Sequence, residues 1–130
     1  MEALRAFAES VGYKGDIMDG VVTQCAGGAI EEIHWNRKDL DGTLPVGDLN
    51  RPKLRGLYLD NNKGLKGDLT QLHLPVGMKD LDLSVTKVTG AVDKLVLPEG
   101  MQDLNFWLCE GLTGMLPASE KAKVENYRSP

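Results

Sequence analysis

The 130-residue sequence predicts an α/β solenoid in which short parallel strands stack behind an N-terminal helical cap. Three observations predict it. The segment Leu74-Pro-Val-Gly-Met-Lys-Asp-Leu-Asp-Leu83 returns as Leu97-Pro-Glu-Gly-Met-Gln-Asp-Leu-Asn-Phe106, 23 residues on, with six of ten positions identical. Two looser copies precede them, Leu54-Arg-Gly-Leu-Tyr-Leu59 and Ile30-Glu-Glu-Ile-His-Trp35. A fixed period of this length marks a stack of repeated units. Aromatic residues make up only 5% of the chain, so recurring leucine, valine and isoleucine must fill the interior.

Residues 2–10 read as a short helix, with Ala3, Leu4, Phe7 and Ala8 on one face and Gly12 and Gly15 to stop it. Residues 13–20 are turn-rich, Val21–Cys25 is strand-like, and Gly27-Gly28 breaks it. Residues 1–28 are therefore expected to cap the first repeat. About four repeats follow over 29–117. Their inward sets are Ile30, Ile33, Trp35, Leu40, Gly42 and Leu44; Leu54, Leu57, Leu59, Leu65, Gly67 and Leu69; Met78, Leu81, Leu83, Val88, Gly90 and Val92; Met101, Leu104, Phe106, Leu112, Gly114 and Leu116. Apolar residues at i and i+2 fit a short strand with one face on the core. A glycine recurs in each arm, at Gly42, Gly67, Gly90 and Gly114, where a turn needs an unusual backbone angle or a close approach. Residues 118–130 form a polar tail with only Val124 and Tyr127 to bury, an inadequate cover for the last repeat.

The pattern Leu54-x-x-Leu57-x-Leu59-x-x-Asn62-x-x-Leu65-x-Gly67-x-Leu69 resembles the leucine-rich repeat. Its Leu-x-Gly-x-Leu arm resembles the plant-type subclass, as does Leu40-Asp-Gly-Thr-Leu-Pro45, and the helix followed by Cys25 is similar to that subclass's N-terminal cap. Thr86-Lys-Val-Thr-Gly90 and Leu97-Pro-Glu-Gly100 are similar in style to repeat proteins of algae and protists. The resemblance implies a parallel sheet on a concave face, with irregular turns or 3₁₀ segments on the convex one. The chain departs from the pattern in two ways. Only the second repeat has the turn asparagine, Asn62; the equivalent places hold Lys38, Thr86 and Cys109. The cap has one cysteine where secreted relatives have a pair, so their extracellular address does not carry over.

Aligned strands would set the outward residues in columns: Glu32, Gly56, Asp80 and Asp103; then His34, Tyr58, Asp82 and Asn105; then Asn36, Asp60, Ser84 and Trp107; and a flanking column of Arg37, Asn61, Val85 and Leu108. The middle of this face is acidic and its last rung apolar. Exposed aromatics on a rigid scaffold are enriched at binding hot spots. Leaving Trp107 and Leu108 wet forgoes roughly 1.5–3 kcal/mol each. The expectation is a non-catalytic protein–protein interaction module that meets another protein through Glu32, His34, Tyr58, Asp60, Asp80, Asp82, Asp103, Asn105, Trp107 and Leu108. One alternative is a structural accessory subunit permanently docked in a larger assembly. Another is a ligand- or calcium-binding protein using the acidic face.

Other classes find less support. A net charge of −4 argues against nucleic-acid binding, which needs a basic face. No apolar run is long enough to span a bilayer, and the start is too acidic for a secretory signal. Cys25 and Cys109 lie at opposite ends of the expected stack and are read as free thiols, which favours an intracellular, reducing compartment. The acidic residues lack calcium-loop spacing, and His34, His73, Cys25 and Cys109 lack zinc spacing, so no metal or cofactor is expected. No nucleophile–base pair is evident, and no enzyme is expected.

Overall fold

Short strands alternate with turns throughout the chain, and their apolar residues meet in one core. The computed structural model describes residues 2–23, 29–45, 47–48 and 53–130. The elements in order are α1 (Glu2–Val11), β1 (Val21–Thr23), β2 (Ile30–His34), β3 (Gly47–Asp48), β4 (Gly56–Tyr58) and β5 (Asn62–Asp68). A 3₁₀ turn (Leu69–Gln71), β6 (Leu72–His73), β7 (Asp80–Asp82), β8 (Thr86–Ala91) and a second 3₁₀ turn (Val92–Lys94) follow. The chain ends with β9 (Asp103–Asn105), β10 (Gly111–Thr113), α2 (Ala118–Lys121) and β11 (Asn126–Arg128). The architecture is α/β with largely parallel sheets. Cys25 and the Gly27-Gly28 break lie outside the described residues.

The principal sheet has six strands in the order β1-β2-β4-β7-β9-β11. All neighbours are parallel except β1, which runs antiparallel to β2. The register joins Ile33, Leu57, Leu81, Leu104 and Tyr127 in one row. The four leucine and isoleucine positions are at most 2% exposed. Every apolar side chain of the four expected inward sets is buried and belongs to a single cluster, whereas Gly42, Gly67 and Gly90 are half-buried and Gly114 is exposed. At its N-terminal end α1 adds Leu4, Phe7, Ala8 and Val11. The helix stops where the Tyr13 amide donates to the Ala8 carbonyl and Gly12 to Glu9, the crossed pair of a glycine C-cap. Tyr13 and Phe7 stack on Trp35 at 4.3 and 5.9 Å, and the indole N–H donates to the Asp19 carbonyl at 2.8 Å.

Two expectations need correction. The Leu-x-Gly-x-Leu arms do not form only irregular turns: β5, β8 and β10 pair in parallel as a second, three-stranded sheet. Gly67 and Gly90 have φ of 123° and 131° there, and a Cβ on Gly67 would lie 2.8 Å from the Leu44 amide nitrogen. The tail is also not a loose polar appendage. Its Asn126–Arg128 segment adds β11 beside β9, and the Tyr127 ring meets Phe106 edge-on at 6.1 Å. Its three-residue pattern, polar–apolar–polar, matches Asp80–Asp82 and Asp103–Asn105 at the repeat spacing.

Asn62 is 1% exposed and ties two copies together. Its Oδ1 accepts from the amides of Lys38 and Leu40, both at 3.0 Å, and its Nδ2 donates to the carbonyls of Trp35 and Leu59. In later copies this work is divided: the Thr86 hydroxyl and the Cys109 thiol both donate to the Leu83 carbonyl, at 2.7 and 2.8 Å. Cys109 is free and buried, and burial pushes its thiol pKa up. The residue before each of these turn positions is left-handed: Asn61, Val85 and Leu108 have φ of 59°, 56° and 57°. Asparagine accepts this conformation, whereas a β-branched side chain is strained in it.

Asn62→Ala strands backbone donors and acceptors in the core and should lower stability by at least about 2 kcal/mol in urea unfolding. Val85→Asn should instead raise it by about 1 kcal/mol by relieving the left-handed strain. A destabilised Val85→Asn would show that the valine's packing outweighs its backbone cost.

Candidate interaction face

Parallel pairing sets the outward side chains of the six-stranded sheet in columns. Glu32, Gly56, Asp80, Asp103 and Asn126 form one; His34, Tyr58, Asp82, Asn105 and Arg128 form the next. The ladder continues past the strand ends, where the amides of Arg37, Asn61 and Val85 donate to the carbonyls of Asp60, Ser84 and Trp107 at 3.1, 2.9 and 2.9 Å.

The first two columns are joined by a polar network. His34 Nε2 lies 2.7 Å from Glu32 Oε1, two residues away on the same face. The imidazole stacks on the Tyr58 ring with centroids 4.3 Å apart and planes 11° from parallel. The Tyr58 hydroxyl donates to Asp80 Oδ2 at 2.8 Å. Gly56 makes this reach possible, because a Cβ there would lie 2.9 Å from Tyr58 Cε2 and 3.1 Å from Glu32 Cγ. Arg55 anchors the edge, with Nε 2.8 Å from Glu31 Oε2 and an Nη 2.7 Å from Glu32 Oε2. Burial, then the bond to Asp80, pushes the Tyr58 hydroxyl pKa well up.

Asp80 and Asp103 face each other directly across β7 and β9. Burial is the main cause that raises the Asp80 pKa, and the hydrogen-bonding approach of the Asp103 carboxyl adds to it. Asp80 Oδ1 is a buried oxygen without a donor among the described residues. Asp103 Oδ1 accepts from the Asn126 amide at 3.0 Å. Together with Tyr58, Asp82, Asn105 and Arg128 these residues line an open depression of about 320 Å³.

Toward the strand ends, Asp82 and Asn105 turn back on the chain. Asp82 Oδ1 accepts from the Ser84 amide and hydroxyl at 3.0 and 2.7 Å, and Asn105 Oδ1 from the Trp107 amide at 3.0 Å. Ser84, expected outward, is only 5% exposed. Asp60 Oδ2 accepts from the Asn61 amide side chain at 2.8 Å, and burial raises the Asp60 pKa against that bond. Trp107 and Leu108 remain 47% and 46% exposed although β11 has folded beside β9. The Arg128 guanidinium lies 5.0 Å from the Trp107 ring centroid, in cation–π contact.

The structure thus groups Glu32, His34, Tyr58, Asp80, Asp82, Asp103 and Asn105 on one face, with Asp60, Trp107 and Leu108 at its rim. Sequence reasoning missed Arg55, Asn126 and Arg128. The period itself pointed to the last two, since Asn126 follows Asp103 by the same 23 residues that separate Asp103 from Asp80. Among the described residues, no three His, Cys, Asp or Glu side chains are grouped to hold a metal ion. No helix among them is long and apolar enough to cross a membrane. Comparison with protein-family models, curated proteins and solved structures finds no match.

Arg128→Ala should uncover the Trp107 ring and increase iodide quenching of the accessible tryptophan fluorescence. Trp35, fully buried, should keep its own resistance to quenching. An unchanged accessible fraction would show that Arg128 does not cover the ring in solution.

Proposed function

We propose that the chain is a short leucine-rich repeat solenoid that serves as a non-catalytic protein–protein interaction module. The observation that carries this reading is the exposure of Trp107 and Leu108 on a face already held rigid in register. The tail supplies a strand and an arginine, yet leaves these two apolar side chains half in water. Covering them with a partner would recover free energy that the isolated chain forgoes. The acidic columns beside them suit a partner with basic or mixed surface. The buried free thiol of Cys109 suits a reducing, intracellular setting, in solution or within an assembly. No cofactor is required.

A permanent accessory subunit is the second reading. It is favoured by β11 presenting an edge of the sheet that no other strand among the described residues covers. A calcium- or ligand-binding face has less support, because Asp60, Asp80, Asp82 and Asp103 each already have an oxygen engaged within the chain.

A photo-crosslinking phenylalanine analogue placed at Tyr58 or Trp107 should give discrete protein adducts in an extract of the native source. The same analogue at Thr89, exposed on β8, should not. Equal yields from all three positions would refute a specific outward face. Sedimentation separates the two readings: a monomer unchanged by Trp107→Ser with Leu108→Ser removes the permanent subunit, whereas self-association lost in that variant supports it.

A further inference from the structure

We propose that Asp80 and Asp103 share a single proton and together form a pH-sensitive element of the sheet's outward face. The backbone register leaves them no escape, since Asp80 and Asp103 are Cα partners on parallel strands with both side chains on the same side. Two ionised carboxylates so placed repel one another. The hydrogen-bond pattern shows where the proton belongs. Tyr58 donates to Asp80 Oδ2 and Asn126 to Asp103 Oδ1, while Asp80 Oδ1 is buried and lacks a donor among the described residues. The Asp103 carboxyl is the in-register neighbour beside that oxygen, and two carboxyls can bond only if one keeps its proton. That proton supplies the missing donor.

The surrounding charges do not replace it. Glu32 on β2 adds negative potential and is occupied by His34 and Arg55. Arg55 is turned to Glu31 and Glu32, Asp82 on β7 is bonded to Ser84, and the guanidinium of Arg128 on β11 lies over Trp107. Burial and, against the opposing hydrogen bond from Tyr58, the neighbouring carboxyl act to keep Asp80 protonated. The pair therefore loses its last proton at a higher pH than an ordinary aspartate, and the depression gains one negative charge at that point. Because the folded state holds the proton more tightly than the unfolded chain, the pair's contribution to stability is present at low pH. It is lost as pH rises through the folded-state value.

Carbon-13 carboxyl titration of the full chain tests this directly. The Asp80 carboxyl carbon should follow a biphasic curve, its upper inflection above the ordinary aspartate value of about 3.9. Asp103→Asn should leave Asp80 with a single, lower inflection. Asp80→Asn should raise Tm at pH 7 relative to the unmodified chain, with the difference gone below about pH 3. A single-step Asp80 curve at or below the ordinary value would overturn the proposal. So would an Asp80 curve unmoved by Asp103→Asn. The unmodified chain's titration decides the matter even where a variant fails to fold.

Discussion

A strand of three residues cannot satisfy its own backbone, and the rest of this fold follows from that. β4, β7 and β9 each have copies on both sides, and their amide and carbonyl groups are bonded only because those neighbours lie in register. The steps from Glu32 to Gly56, Asp80, Asp103 and Asn126 are 24, 24, 23 and 23 residues. Once the register is set, the side chains have no choice of face. Leu57, Leu81 and Leu104 are stacked in the core, and the residues on either side of each are aligned outward. The same constraint that buries leucine on leucine therefore sets Asp80 against Asp103. The apolar row stabilises the stack, and the carboxyl pair is its electrostatic cost.

The two edges of the principal sheet are covered differently. At the first copy, Trp35 is closed over by Tyr13, Phe7 and α1, and the antiparallel β1 covers the sheet edge. At the last copy the closure is thinner: one strand, one aromatic edge against Phe106, and Lys123 bonded to Glu120 and the Leu97 carbonyl. Trp107 and Leu108 stand exposed on the side of the sheet where β11 lies. Val85 and Leu108 hold left-handed backbone where an asparagine serves in the copy before them. Apolar side chains are thus displayed at positions where polar ones would be less strained and better solvated.

Much of this was legible in the sequence. The identity between residues 74–83 and 97–106 gave the strand alignment, and with it the outward columns, apart from the buried Ser84, and most of the inward leucines, though not Leu72, Leu95 or Leu97. Asn62 could be singled out as the one turn asparagine, although its bonds to four separate backbone groups needed coordinates. β11 went unread because Asn126-Tyr-Arg128 has no flanking leucines, and only its distance from Asp103 marks it as a further copy. The second sheet was hidden because Lys66, Gly67 and Asp68 carry no strand composition; parallel neighbours impose the extended backbone there. The proton-sharing pair was invisible for a different reason. Each aspartate is ordinary alone, and the burial of Asp80 Oδ1 beside Asp103 exists only in the assembled sheet.

The in-register parallel ladder is most directly tested by cross-strand nuclear Overhauser contacts in the isotopically labelled chain. It predicts amide-to-α-proton contacts of the parallel kind linking Ile33, Leu57, Leu81, Leu104 and Tyr127 in a single unbroken series. Close α-proton pairs between β7 and β9, the mark of antiparallel strands, or a series that stops before Tyr127, would contradict it.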